Sequence, residues 1–262
     1  MFGLAFDSGN PRRIFAAADN GVFRTTNGGQ TWRKVFSVPD RGMEAVALAP
    51  SAPRIAYAAT GERGTFRSVD GGATWKETNL PEITRVASFA VHPRRPNTVW
   101  FGTATETILK STDGGRTWTR PSHHLATWGE IRQIVLDPRN PRILYAAASQ
   151  GGVIKSTDGG ASWEDANGGI ARTPFGPLPI YGVAIDRRRP RVLYAGGWFG
   201  DGVGGHVYRS TNGARSWTDI TDGMTTSWTW SLALSSAGTT LYAGTTAYGV
   251  EDGGGVFTTR VR

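Results

Sequence analysis

Three stretches of this 262-residue chain set aromatic rings within a few residues of carboxylates. Trp128 precedes Glu130, Trp198 and Phe199 precede Asp201, and Tyr248 precedes Glu251 and Asp252. Trp228 adds a further ring, and Arg132 and Tyr181 stand near the starts of apolar strands. Flat rings beside carboxylates suit sugars, whose C–H faces stack while their hydroxyls bond to the acids. A pair of carboxyls, one protonated and one ionised, would cleave a glycosidic bond, and Glu130, Asp201 and Glu251 are the candidates for that pair. The most conspicuous acids, Asp70, Asp113 and Asp158, belong to a different pattern.

That pattern is a repeat. Thr25-Thr-Asn-Gly-Gly-Gln-Thr-Trp32 recurs as Ser68-Val-Asp-Gly-Gly-Ala-Thr-Trp75, Ser111-Thr-Asp-Gly-Gly-Arg-Thr-Trp118, Ser156-Thr-Asp-Gly-Gly-Ala-Ser-Trp163 and Ser210-Thr-Asn-Gly-Ala-Arg-Ser-Trp217. The Trp-to-Trp steps are 43, 43, 45 and 54 residues. Each unit carries an apolar strand, a turn of the Asp-Pro-Arg-Asn-Pro kind, a second and a third strand, the Asp/Gly turn, and a fourth strand beginning at the Trp. Asp or Asn accepts bonds from backbone N–H groups, Gly supplies positive φ, and the Trp covers the corner. The residues Asn27, Trp32, Asp70, Trp75, Asp113, Trp118, Asp158, Trp163, Asn212 and Trp217 are therefore read as structural. Ala214 stands where the other boxes have a second Gly and predicts a looser turn there.

Four-stranded antiparallel units of this length in series predict an all-β fold, a β-propeller of six blades, with the Asp/Gly turns between the third and fourth strands. The blades fall at about 1–38, 43–79, 85–121, 130–166, 180–221 and 229–262, within one domain spanning 1–262. The last blade shows three strands, because Val256-Phe-Thr-Thr259 aligns with Val22-Phe-Arg-Thr25 just before a sixth box would begin. A closed six-bladed ring is the favoured reading, and a segment of a longer propeller protein is the other.

The box resembles the Asp-box, or BNR, repeat, Ser/Thr-x-Asp-x-Gly-x-x-Trp, and the resemblance covers nearly the whole chain. Families with this repeat include sialidases, xyloglucan-degrading glycosidases, sortilin-type receptors and photosystem II assembly propellers, so the resemblance implies the fold and leaves function open. A sialidase site would need three Arg, a Tyr–Glu pair and an Asp. Arg85, Arg132 and Tyr181, with Glu44 and Glu130 close by, match part of it, but the Phe/Tyr-Arg-Ile-Pro element is absent. The xyloglucan-degrading enzymes have two propellers and a cleft between them, against one here. The photosystem assembly propellers bind protein through an Arg-rich patch. The resemblance also implies a protein that is mostly exported, although no signal peptide precedes the first repeat, and the compartment stays open.

Composition and charge limit the alternatives. There are no cysteines and four His, so disulfides and thiolate metal sites are excluded. The absence of cysteine also fits a bacterial protein in any compartment. His123-His124 has no third His nearby, and neither a metal nor any other cofactor is expected. No apolar run is long enough to span a membrane as a helix. Four Lys among 29 basic residues leave 25 Arg, and the net charge is +8. Eleven of those Arg lie at the turns between first and second strands, among them Arg94, Arg95, Arg139, Arg187, Arg188 and Arg189. That rim suits an anionic partner, or is a solvated turn, which is the favoured reading. Nucleic acid is not expected, because few aromatics interleave with the charge. The long loops on the opposite face, in blades three to six, carry Trp128, Trp198, Phe199, Trp228, Tyr248 and the acids beside them, where propellers place function. The expected role is non-enzymatic binding of a carbohydrate or protein ligand there, with a glycoside hydrolase as the alternative.

Overall fold

The computed structural model describes residues 3–39, 42–61, 64–79, 85–104, 107–121, 129–174, 176–198, 205–221, 227–247 and 255–261. They form strands and turns and no helix. The chain packs as two compact units, Met1–Pro121 and Ser122–Arg262.

The first unit holds three antiparallel sheets. Gly3–Phe6, Ile14–Ala18, Gly21–Thr25 and Arg33–Phe36 form the first, and Met43–Leu48, Ala56–Thr60, Thr65–Ser68 and Lys76–Glu77 the second. The third has three strands, Val86–Val91, Val99–Thr103 and Ile108–Ser111. The expected fourth strand of this blade is reduced to one bridge, Lys110 with Thr119. Pro121 stands two residues further on and has no N–H to donate, so the ladder ends there.

The second unit repeats the plan. Ile131–Leu136, Leu144–Ala148, Gly152–Ser156 and Glu164–Asp165 form one sheet, and Ile180–Ile185, Leu193–Trp198, Gly205–Ser210 and Thr218–Asp219 the next. The last sheet has three strands among the described residues, Ser227–Leu234, Thr240–Ala247 and Gly255–Arg260. All six residues of its third strand are exposed. A small hairpin, Arg172–Thr173 with Gly176–Pro177, sits in the connection expected to be a plain loop.

Second strands read as short runs of apolar and small residues because both their faces are covered. Ala56–Thr60, Val99–Thr103 and Leu144–Ala148 are buried at every position. Successive sheets share cores. Phe15, Val22, Met43 and Ala58 meet between the first two sheets, Val153, Ile180, Leu193 and Trp217 between the fourth and fifth, and Tyr194, Val207, Leu232 and Leu241 between the fifth and sixth. Each of the larger aliphatic and phenyl side chains among them contributes about 1.5–3 kcal/mol of burial. Third-strand cations add ties: Arg24 Nη1 donates to the Gly71 carbonyl at 2.7 Å, and Lys155 Nζ to the Gly213 carbonyl at 2.8 Å.

The five boxes share one hydrogen-bond scheme. In the second, Asp70 Oδ1 accepts the N–H groups of Ala73 and Thr74, both at 2.9 Å, and Oδ2 accepts the Thr74 hydroxyl at 2.6 Å. The Ser68 hydroxyl donates to Asp70 Oδ1 and accepts the Gly72 N–H, both at 2.8 Å. Asp113 and Asp158 repeat the arrangement. Side-chain and backbone bonds from Thr74 and Thr117 hold the Asp70 and Asp113 carboxyls well below the usual carboxylate range. Asn27 and Asn212 build the same turn, with Oδ1 accepting backbone N–H and Nδ2 donating to the Thr31 or Ser216 hydroxyl at 2.8 Å. Ala214 keeps the backbone of the glycine it replaces, at φ +64°, the one non-glycine with positive φ among the described residues. Its N–H still donates to Ser210 Oγ at 3.0 Å, so the fifth turn keeps the shared bonding despite the added methyl.

Candidate functional site

The first strands of five sheets carry a one-residue bulge at the same place. Glu44 is the extra residue between the pairs Met43–Thr60 and Ala45–Ala59, and Ala87 between Val86–Thr103 and Ser88–Gly102. Arg132, Tyr181 and Trp230 occupy that position in the last three sheets. A bulge leaves its residue unpaired and turns its side chain away from the pleat. The repeat therefore presents a set of re-aimed side chains.

In the second unit these side chains meet. The Arg132 guanidinium lies 5.4 Å from the Tyr181 ring centroid and 5.7 Å from that of Trp230. Tyr181 and Trp230 are 4.8 Å apart, Trp230 and Trp228 5.9 Å, and Trp228 and Trp198 4.2 Å. Four rings thus form a continuous row with an arginine at one end. Trp230 is 37% exposed, and its Nε1 donates to Thr246 Oγ1 at 2.7 Å, which fixes the indole plane.

Glycines bring this row together. A Cβ on Gly197 would fall 2.0 Å from the Pro179 carbonyl oxygen, and one on Gly196 2.5 Å from Thr229 Cγ2. Without a side chain on Gly196, its strand lies close against the sheet that carries Trp228 and Trp230, and the bare Gly197 lets the Pro179 carbonyl reach the same strand, where it accepts the Trp198 N–H at 3.2 Å.

Glu130 closes the arginine end. Its Oε2 is 2.7 Å from Arg132 Nη2, with the Glu side chain 13% exposed and the Arg side chain 32%. Its N–H donates to Ser149 Oγ at 2.8 Å. Gly129 turns the chain into this position at φ +65°, where a Cβ would meet Ser149 Oγ at 2.5 Å. Burial lifts the Tyr181 phenol above its ordinary pKa, with the Arg132 charge pulling it back and the Glu130 charge adding to the rise.

The site thus joins Glu130, Arg132, Tyr181, Trp198 and Trp228 from the sequence-derived candidates. Trp128, Phe199, Asp201, Tyr248, Glu251, Asp252 and the His123-His124 pair lie outside the described residues. Trp230, absent from the candidate set, bridges Trp228 to Tyr181; its place at the bulge, in line with Arg132 and Tyr181, shows only once the strands are paired. In the first unit Glu44 and Arg85 form a two-pronged ion pair, with Arg85 Nε 2.9 and 3.0 Å from the two carboxylate oxygens.

The arginines at the turns are partly engaged in building them. Asp7 and Asp186 accept turn N–H groups and pair with Arg13 and Arg189. Arg139 Nη2 donates to the Arg188 carbonyl. In the third sheet His92 takes the acid's place, Nδ1 accepting the N–H groups of Arg94 and Arg95 at 3.1 and 3.0 Å. Burial and the charges of Arg95, Arg94 and Lys110 lower its pKa. No helix among the described residues is long and apolar enough to cross a membrane.

Comparison with known proteins follows the fold. The Sortilin-Vps10 family model, described as sortilin, neurotensin receptor 3, matches residues 20–108. No curated protein matches the chain. Among solved structures, a Niastella koreensis GH74 enzyme is 21% identical with a TM-score of 0.77, over 98% of this chain and 44% of its own length. The chain thus spans less than half of that enzyme. The Cps50 (Swd1) β-propeller domain of Myceliophteria thermophila is 12% identical, with a TM-score of 0.71, over 99% of this chain and 83% of its own. YCF48 from Cyanidioschyzon merolae is 17% identical, with a TM-score of 0.53, over 98% and 94%. Likeness at these identities carries the fold alone: the chain has the fold of a β-propeller, and no one family is singled out.

Proposed function

We propose that the protein is a recognition module that binds a carbohydrate against the row of Trp198, Trp228, Trp230 and Tyr181. The row itself carries this reading. Its ring centroids are spaced 4.2 to 5.9 Å apart, and one end bears the Glu130–Arg132 pair. Rings arranged so can cover the C–H face of a sugar while the polar end meets hydroxyls.

Hydrolysis requires a second carboxyl opposite the first. Glu130 is the candidate acid that the described residues bring to the rings, and it is held by Arg132. Binding is the reading we favour because an aromatic row, rather than a pair of carboxyls, is what the described residues assemble, although GH74 enzymes share the fold. A glycan panel incubated with the protein and read by mass spectrometry for retained and cleaved sugars tests it. Retention without cleavage is expected, and Trp230→Ala should abolish the retention. Cleavage would make the protein a hydrolase, and no retained glycan would move the ligand to the protein class.

A further inference from the structure

We infer that the aromatic row takes uncharged sugars and turns acidic ones away, and that Glu130 sets this preference by neutralising Arg132. The inference rests on the carbohydrate reading above and adds the class of sugar. Arg132 lies over both Tyr181 and Trp230, so a sugar on these rings would meet its guanidinium. A lone guanidinium in that place would draw a uronic or sialic carboxylate by a charge-assisted bond. Here the charge is already answered, since Glu130 Oε2 stands 2.7 Å from Arg132 Nη2.

The depths of the two side chains decide what a ligand encounters. The carboxylate is the more buried partner, 13% exposed against 32% for the arginine. A ligand carboxylate approaching Arg132 would therefore come near a fixed like charge in a partly dehydrated site, where screening is weak. A hydroxyl both donates and accepts, and it can pair with the guanidinium without bringing a charge. The guanidinium is also restrained, because its residue sits at the bulge and its charge lies over two rings. It cannot leave Glu130 for a ligand carboxylate without losing those contacts.

The test uses matched glycan pairs that differ in one carboxylate, such as lactose with sialyllactose and gluco- with glucurono-oligosaccharides, titrated calorimetrically against the full chain. For the native protein, every pair that binds should favour the neutral member by at least about tenfold, with little dependence on salt. Glu130→Gln leaves Arg132 uncompensated, so the preference should shrink by at least about tenfold or reverse, and acidic binding should become salt-sensitive. Glu130→Gln combined with Arg132→Gln removes both charges and should restore the neutral preference. Should Glu130→Gln not fold, Arg132→Gln decides the matter: it leaves the Glu130 carboxylate uncompensated, so the neutral preference should widen severalfold and become salt-sensitive. Native protein favouring acidic members, or a preference unmoved in folded Glu130→Gln or folded Arg132→Gln, would overturn the inference while leaving the carbohydrate reading intact. Binding of no glycan from either class would sink the carbohydrate reading and the inference with it.

Discussion

Replacing Asp158 separates what the box turn needs from what its charge adds. Oδ1 accepts the N–H groups of Ala161 and Ser162 at 2.8 and 3.0 Å and the Ser156 hydroxyl at 2.8 Å, and Oδ2 accepts the Ser162 hydroxyl at 2.6 Å. Asp158→Ala strands two backbone N–H groups and two hydroxyls. Such bonds contribute about 0.5–1.5 kcal/mol each, more to a charged acceptor. Water replaces part of this at the surface, which brings the expected loss to about 2 kcal/mol, the size of a lost helix cap. Asp158→Asn should cost about 1 kcal/mol, because Asn27 and Asn212 hold the same turn. The charge supplies the remainder, with a pH signature. Burial pushes the Asp158 carboxyl up, but bonds from Ser162, Ser156 and Ala161 outweigh it and hold the pKa at about 2, against the ordinary 3.8. The folded pKa is the lower one, so this stabilisation is complete above the unfolded value and is lost as pH falls through about 2. At about 1.4 kcal/mol per unit the shift corresponds to at most ~2.4 kcal/mol, and solvent screening at a half-exposed turn reduces it to about 1. Urea unfolding of the native, Ala and Asn proteins, at neutral pH and again near the folded pKa, reads both effects. The gap between native and Asn should close at the lower pH while the Ala deficit persists. An Asn variant as unstable as Ala at neutral pH, or a native–Asn gap that widens on acidification, would refute the reasoning.

Further tests address the platform and its frame. Gly197→Ala sets a methyl against the Pro179 carbonyl and should cost about 1–3 kcal/mol, seen as a lower Tm; an unchanged Tm would contradict the close approach. Thr229 is fully buried, and its hydroxyl has no hydrogen-bond partner among the described residues. Thr229→Val should therefore stabilise by about 1 kcal/mol, and a loss of stability in the same melt would show that the hydroxyl is satisfied. Arg187→Gln with Arg188→Gln should leave glycan affinity within about twofold; a large, salt-dependent loss by calorimetry would place binding at the arginine-rich turns instead.

The repeat was legible in sequence because its causes are local. Asp70, Gly71, Gly72 and Trp75 build their turn from each other, so the same letters recur wherever the turn does. The fourth strand of the third blade was overestimated because its length depends on pairing with Ile108–Ser111, which Pro121 cuts short. The bulges were hidden for a related reason. Whether Arg132, Tyr181 and Trp230 follow the pleat or leave it is decided by their partners on the second strand, and one unpaired residue leaves no mark in a short apolar run. The ring row follows from those bulges and from Gly196 and Gly197, whose value lies in what they allow another strand to approach. Trp198, Trp228 and Tyr181 could thus be named as single residues, while their assembly through Trp230 could not.

Saturation-transfer NMR bears most directly on the central claim. Irradiating the protein in the presence of the glycan the panel retains should mark the sugar's axial C–H protons most strongly, since those face the rings of Trp198, Trp228 and Trp230. The signal should vanish in a folded Trp230→Ala protein. Transfer that survives that substitution unchanged, or falls evenly over protons that cannot stack, would contradict the aromatic row as the binding surface.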